Sequence, residues 1–332
     1  HEVSEANPEP TDSGRMFQPD WTVLPDLLED VRRLSPAQRD QLEGPLTVGE
    51  LLLQIEEAKT GKSPGLDGLT YEFYKTVGPV VGPQLVEALQ AMLADGQLTA
   101  SLRQGAVRLL PKVAGVPLAS QLRPITLLNT DYKLLTKILV RRLIFVLPTV
   151  LSHPQLCSVK GRSIYDGTAG LLSVVEALRV ERRPGFLLNL DFFHAYDRVC
   201  MEYVDRVLEA MGFGLTFRGW VATLHRGATA SFLLRRLSRP VSILFSVRQG
   251  DPIAMLLYIL QLEPFLVGLA SVLPGITVGE VVEDVLAYVD DVDVLGDTED
   301  QILFVDALCE RFEAVSGAIL NRNRKSAILG LG

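Results

Sequence analysis

The alternation of apolar and polar positions predicts helices along much of the chain. Leu134, Leu135, Ile138, Leu139 and Leu143 recur at helical spacing and share one face of a helix over about 129–147. The same periodicity predicts helices over about 82–95, 166–183, 201–211, 216–226, 252–272 and 299–316. Another opens at Thr47, which forms a capping box with Glu50, and stops before "GKSPGLDG". Shorter runs predict strands over 106–111, 186–191, 229–235, 241–246, 283–289, 291–295 and 326–329, several bounded by turn signals such as Arg183-Pro184-Gly185 and Gly330. Strands and helices mix without a regular βαβ alternation or an internal repeat, so the class expected is α+β.

Composition narrows the picture. With 48% hydrophobic and 22% charged residues among 332, the chain is globular, of two or three domains or one large subdivided one. Residues 1 to about 20 read as a disordered leader within an acidic segment 1–45, and the polar start "HEVSEANPEPTDSGR" has no signal-peptide pattern. It also begins without Met, as an excised piece would. Cys157, Cys200 and Cys309 are too scattered for a disulfide framework or zinc site, which suits an intracellular location, nucleus or cytoplasm. The apolar run "IAMLLYILQL" is too short to span a bilayer and meets Glu263 and Pro264. "GKS" suggests a phosphate loop, but Glu56 stands where that motif needs Gly.

A net charge of −8 argues against a nucleic-acid binder until its distribution is considered. Residues 1–50 carry −7, residues 51–250 carry +9 and residues 251–332 carry −10. A basic middle can bind an anion while the acidic end binds cations; ordinary surface scatter is the alternative.

The acidic end contains "LAYVDDVDVLGD", with Asp290 and Asp291 between two apolar runs. A second apolar run, "GFLLNLDFFHAYDRV", ends on Asp191. Placed side by side, a strand ending at Asp191 and a hairpin turning at Asp290-Asp291 bring three carboxylates to one sheet edge. Such a cluster needs cations or protons. Oxygen donors of this kind favour Mg²⁺ or Mn²⁺, and two ions would serve in-line phosphoryl transfer. Asp293, at strand period from Asp291, is either a solvated edge residue or a further ligand, the former being favoured.

These motifs carry a resemblance. "YVDD" resembles the Tyr-x-Asp-Asp box of reverse transcriptases and "LNLDFFHAYDRV" their first catalytic motif. The order of "KSPGLDGLTYEFYK", "LLPKVAG…LRPITLLNTDYKLLTKILVRRL", "HPQLCSVKGRSIYD", "VRQGDPIAMLLYIL" and "LNRNRKS" around them resembles the non-LTR, LINE-type retrotransposon enzymes. The resemblance covers about 46–332 and implies a right-hand polymerase core with an antiparallel-sheet palm and helical fingers. Residues 46–185 would be mainly fingers, with palm helices, and 186–332 the palm. The thumb would be absent from this chain, and both it and an endonuclease region would belong to a longer parent.

The resemblance also implies roles. Asp191, Asp290 and Asp291 would hold two Mg²⁺ ions, which Mn²⁺ could replace, with Lys325 as general acid toward pyrophosphate. Lys112 and Arg123 would contact the triphosphate, Gln249-Gly250 the nucleotide, and Tyr196 its sugar. Lys160, Gly161 and Arg162 would meet template phosphates. Each has a plainer alternative: a solvated charge, a helix-initiating "QGDP" turn with Pro252 leading, or a core aromatic. The implied partners are an RNA template, a DNA primer and dNTPs, with no membrane. His194, Tyr196, Ala254 and Val289 depart from the usual LINE-type residues without removing a carboxylate. Two rivals remain: a drifted or domesticated, inactive module that binds RNA or protein, and an RNA-dependent RNA polymerase.

Overall fold

The structure, a computed structural model, describes residues 17–112, 121–278, 281–322 and 326–331. A 3₁₀ turn at Trp21–Val23 leads to α1 (Leu24–Leu28), α2 (Pro36–Glu43), α3 (Val48–Glu57), α4 (Tyr71–Ala94) and α5 (Ala100–Arg103). Two strands, β1 (Gln104–Pro111) and β2 (Leu122–Leu127), precede α6 (Thr130–Val150) and α7 (Ile164–Glu181). Next come β3 (Gly185–Leu190), α8 (Met201–Ala210), α9 (Leu215–His225), β4 (Thr229–Phe232), β5 (Val241–Ser242) and α10 (Ala254–Val272). The described chain closes with β6 (Ile276–Val278), β7 (Val281–Glu283), β8 (Val285–Tyr288), β9 (Asp291–Gly296), α11 (Glu299–Ser316) and β10 (Ala327–Leu331).

The α+β class holds. β10, β3, β9 and β8 form one antiparallel sheet in that order, and β2, β1, β4 and β5 form another, in which β1 and β4 run parallel. The second sheet does not respect chain order, because β4 and β5 lie beyond β3 in sequence yet pair with β1. A ribbon of β6 and β7 stands apart from both.

The inner face of the first sheet presents Leu188, Leu190, Val292 and Val294, all buried, to the core containing α10. α10 is long and apolar enough to cross a membrane, but here it runs through that core. Neighbours on every side explain why it is apolar all round. Phe265 of α10 and Phe312 of α11 stack at 5.1 Å, with Phe192 edge-on to both.

Several boundaries differ from expectation. From Phe17 onward, the segment read as an acidic leader belongs to the core: α1 and α2 and the stretch between them bury Leu24, Leu27, Val31, Leu34 and Leu42. α4 begins eleven residues before the predicted helix because Pro79 and Pro83 mask its periodicity. Gly78 and Gly82 let it lie close on α3, where a Cβ at Gly78 would come within 2.9 Å of Ile55. β2 was not predicted; Pro124 sits in it, tolerated because β2 is at the edge of its sheet. The expected 229–235 and 241–246 strands shorten to β4 and β5 around a tight turn. The capping box at Thr47 forms as read, with Thr47 N donating to Glu50 Oε2 at 2.9 Å and Glu50 N to Thr47 Oγ1 at 3.2 Å.

Candidate active site

Strand register brings the carboxylates together. Asn189 pairs with Asp293 and Leu190 with Val292, so the next step sets Asp191, just past β3, opposite Asp291 at the start of β9. Alternation along a strand then places Asp191 and Asp291 on the face opposite the buried Leu190 and Val292. Asp290 occupies the turn between β8 and β9. Its neighbour Val289 adopts φ +61, a strained conformation for a β-branched side chain. Gln155, fully buried, grips that residue: Val289 N donates to its Oε1 at 3.2 Å, and its Nε2 reaches Val289 O at 3.5 Å. The segment around Gln155 is itself tied to β8, with Ala287 N donating to Pro154 O and Leu156 N to Ala287 O, both at 2.9 Å.

Asp191 and Asp290 line one cleft of about 710 Å³ together with Lys112, Arg123, Tyr196, Gln249 and Gly250. Seven of the expected residues, drawn from four separated stretches, therefore meet in one place. Asp291 is exposed at the start of β9 and does not line the cleft. Burial raises the Tyr196 phenol above its ordinary range, and Asp290 raises it further. Tyr258, buried beneath, is raised by burial and then by Asp290, Asp191 and Asp291 among its neighbours. The two rings stack at 5.1 Å. Tyr196 thus both packs on the core and faces the cleft.

The Gln249-Gly250 loop is held from two sides. Thr126 N of β2 donates to Gln249 O at 2.7 Å. Gly250 has φ +109, and a Cβ there would lie 2.5 Å from Thr126 O, so only glycine fits. Beneath the loop, Arg248 is almost fully buried, 3.6 Å from Asp251 and 4.5 Å from the Tyr132 ring centroid. Tyr132 Oη donates to Asp251 Oδ2 at 2.6 Å, and Ile253 N donates to Asp251 Oδ1 at 3.2 Å. "QGDP" therefore also leads into α10, although Pro252 precedes the N-cap Ile253 and does not take the first helical position.

Other expected residues lie elsewhere. Lys160 and Gly161 are exposed outside the cleft lining. Arg162 turns inward: its guanidinium donates to the carbonyls of Ser152, Gln155 (2.7 Å) and Leu151 (3.1 Å). Asp293 is neither a solvated edge residue nor part of the cleft lining, since Asn189 Nδ2 donates to it at 2.8 Å on the central strand pair. Lys325 lies outside the described residues. Sequence reasoning missed Asn321, whose Nδ2 donates to Asp191 Oδ2 at 3.0 Å while its backbone N donates to Asp191 O at 2.8 Å. It also missed Gln155 and Arg248, which act on the site through backbone and packing.

Residues 110–329 match the family described as reverse transcriptase (RNA-dependent DNA polymerase). The chain is 33% identical over 324 residues to the transposon TX1 uncharacterized 149 kDa protein of Xenopus laevis, covering 95% of this chain and 24% of that protein. It is 28% identical over 275 residues to the retrovirus-related Pol polyprotein from type-1 retrotransposable element R2 of Popillia japonica, covering 80% and 37%. The corresponding type-2 element R2DM protein of Drosophila melanogaster is 25% identical over 253 residues, covering 74% and 23%. The chain thus spans 23% to 37% of these relatives' lengths.

Proposed function

The chain belongs to the reverse transcriptase family, and on that premise we propose that it is the polymerising core of a non-LTR retrotransposon protein, adding dNTPs to a DNA primer 3′-OH against an RNA template. One observation carries the reading: the carboxylates of Asp191 and Asp290 share a cleft with Lys112, Arg123 and the Gln249-Gly250 loop. Residues 46–185 with the β4–β5 hairpin serve as fingers, and the remainder of 186–332 as palm. The relatives it matches are longer proteins, which supports a longer parent chain that works inside the cell, in nucleus or cytoplasm.

In this reading Lys112 and Arg123 bind the triphosphate, where fixed positive charge offsets negative charge that builds on the phosphates. Gly250 lets the nucleotide approach bare backbone. The Tyr196 ring, stacked on Tyr258, lies under the sugar. Asn321 orients Asp191 by donating to one of its carboxylate oxygens. Lys325 donates a proton through Nζ to departing pyrophosphate, while Lys160 and Gly161 face template phosphates.

Divalent metal fits the donor set. Among the described residues no group of three or more His, Cys, Asp or Glu side chains is placed to hold a metal ion as an all-protein cage, so the expected convergence of all three carboxylates does not form. Mg²⁺ rarely uses such a cage; it takes one or two carboxylates and completes its shell with water and substrate phosphate. Asp191 and Asp290 lining an open cleft, with Asp291 exposed at the start of β9, supply that arrangement. Bound there, two Mg²⁺ or Mn²⁺ ions would stabilise the attacking and leaving oxygens of an in-line displacement.

The test is primer extension on an RNA template with Mg²⁺ or Mn²⁺, wild type beside Asp290→Asn. The expected result is incorporation by the wild type and none by the variant. Extension by the variant at the parent rate would sink the site assignment.

A further inference from the structure

The hairpin joining β4 to β5 carries a charge pattern that the cleft does not use. From residue 210 to residue 250 the sequence contains six arginines and no acidic residue. Three of them, Arg235, Arg236 and Arg239, sit at the exposed hairpin tip, and none is in an ion pair among the described residues. The tip is a built turn: Leu233 bridges Leu237, Leu234 N donates to Arg236 O at 3.2 Å, and Ser238 N donates to Phe232 O at 3.0 Å. Large apolar side chains flank the arginines, with Leu234 67% exposed and Leu237 47% exposed. A hairpin that only faced water would carry polar residues there.

Register locates the tip. β4 runs parallel to β1 with Phe232 beside Val107, so the hairpin continues toward the end of β1 that carries Lys112. β2, whose Arg123 lines the cleft, lies two strands over, about 10 Å at ordinary strand spacing.

We propose that this hairpin holds single-stranded RNA beside the cleft, the template before it is copied. The arginines take phosphates, and Leu234 and Leu237 cover base faces. A duplex would satisfy the arginines but not the leucines, because its bases are hidden in the stack, whereas an unpaired strand offers both. The inference rests on the template-directed reading above.

The experiment measures equilibrium binding of the 332-residue chain to a blunt RNA–DNA duplex and to the same duplex with a 5′ RNA overhang of about ten nucleotides, within single-strand site sizes. Wild type is compared with Arg235→Gln/Arg236→Gln/Arg239→Gln, whose melting temperature checks its fold. The overhang should tighten wild-type binding at low salt, and the triple variant should lose that increment while binding blunt duplex normally. The slope of log K against log salt for the overhang probe should fall by about 2, three phosphates at about 0.7 each. Abasic overhang sites should weaken the wild type but not Leu234→Ser/Leu237→Ser. An overhang that adds nothing in the wild type, a variant that keeps the increment, or equal losses on both probes would each overturn the proposal; the first two would leave the face to an acidic protein segment. If the wild type binds neither probe, the template-directed reading itself fails.

Discussion

Glu263 lies in the middle of α10, fully buried, and offers a quantitative test of what a buried carboxyl does to the stability of the core. One carboxylate oxygen accepts from Ser152 N at 2.5 Å, and the other has no partner among the described residues. Burial raises its pKa from 4.5 to about 7, against the opposing pull of Ser152, Arg32 and Arg162. A carboxyl whose folded pKa is raised keeps its proton in the folded state after the unfolded chain has released it. Its contribution to stability is therefore fully present below pH 4.5, declines as pH rises through 7, and is absent above that. At about 1.4 kcal/mol per pH unit, the difference between the two limits is about 3 kcal/mol. For a chain of this length that corresponds to about 4 °C in melting temperature. Glu263→Gln keeps the acceptor for Ser152 but cannot ionise. Thermal unfolding of both proteins from pH 5 to 8 should show the variant gaining on the wild type up to about pH 7 and the difference levelling off above it. The difference between the two cancels the other carboxylates. A difference that stays flat with pH, or that favours the wild type as pH rises, would refute the reasoning.

Tyr196→Ala should admit ribonucleotides in primer extension, lowering dNTP-over-rNTP discrimination by ~1–3 kcal/mol, whereas Tyr196→Phe, which keeps the stack on Tyr258, should not. Equal discrimination in wild type and Tyr196→Ala would make the ring a packing residue only. Gly250→Ala should cut incorporation at least tenfold, because the new methyl meets Thr126 O and the backbone strain costs ~1–3 kcal/mol; normal extension would show that the loop does not position nucleotide. Arg162→Ala should lower the melting temperature by abandoning three buried carbonyls, at ~1–3 kcal/mol each at most, whereas Lys160→Ala should leave it unchanged and weaken RNA–DNA binding alone. A stable Arg162→Ala with reduced binding would restore the phosphate role to that residue.

What the sequence revealed was governed by distance along the chain. Leu134, Leu135, Ile138, Leu139 and Leu143 specify α6 because their periodicity is local, and all five are buried. Asp191 and Asp290 were legible because each ends or interrupts an apolar strand, where a carboxylate needs a reason to be. Asn321 gave no such signal: its role comes from Asp191, 130 residues earlier. Arg162 looked like a phosphate ligand because a charge is visible in sequence, while the carbonyls that claim it are not. β2 and the start of α4 were hidden by Pro124, Pro79 and Pro83, which local rules read as breakers. Edge placement and the close packing of α3 on α4 override those rules, and both are tertiary facts.

The left-handed Val289 has an evolutionary corollary. Most tight turns encode their own shape, so a glycine or asparagine must stay where the backbone needs it. Here the shape is imposed from outside, by the Gln155 amide gripping both polar groups of Val289. Information that would normally reside in the turn resides 134 residues upstream. The residue before Asp290 is thereby relieved of encoding the turn, which accepts even a β-branched side chain there. The requirement rests on Gln155, a residue that need never touch a nucleotide.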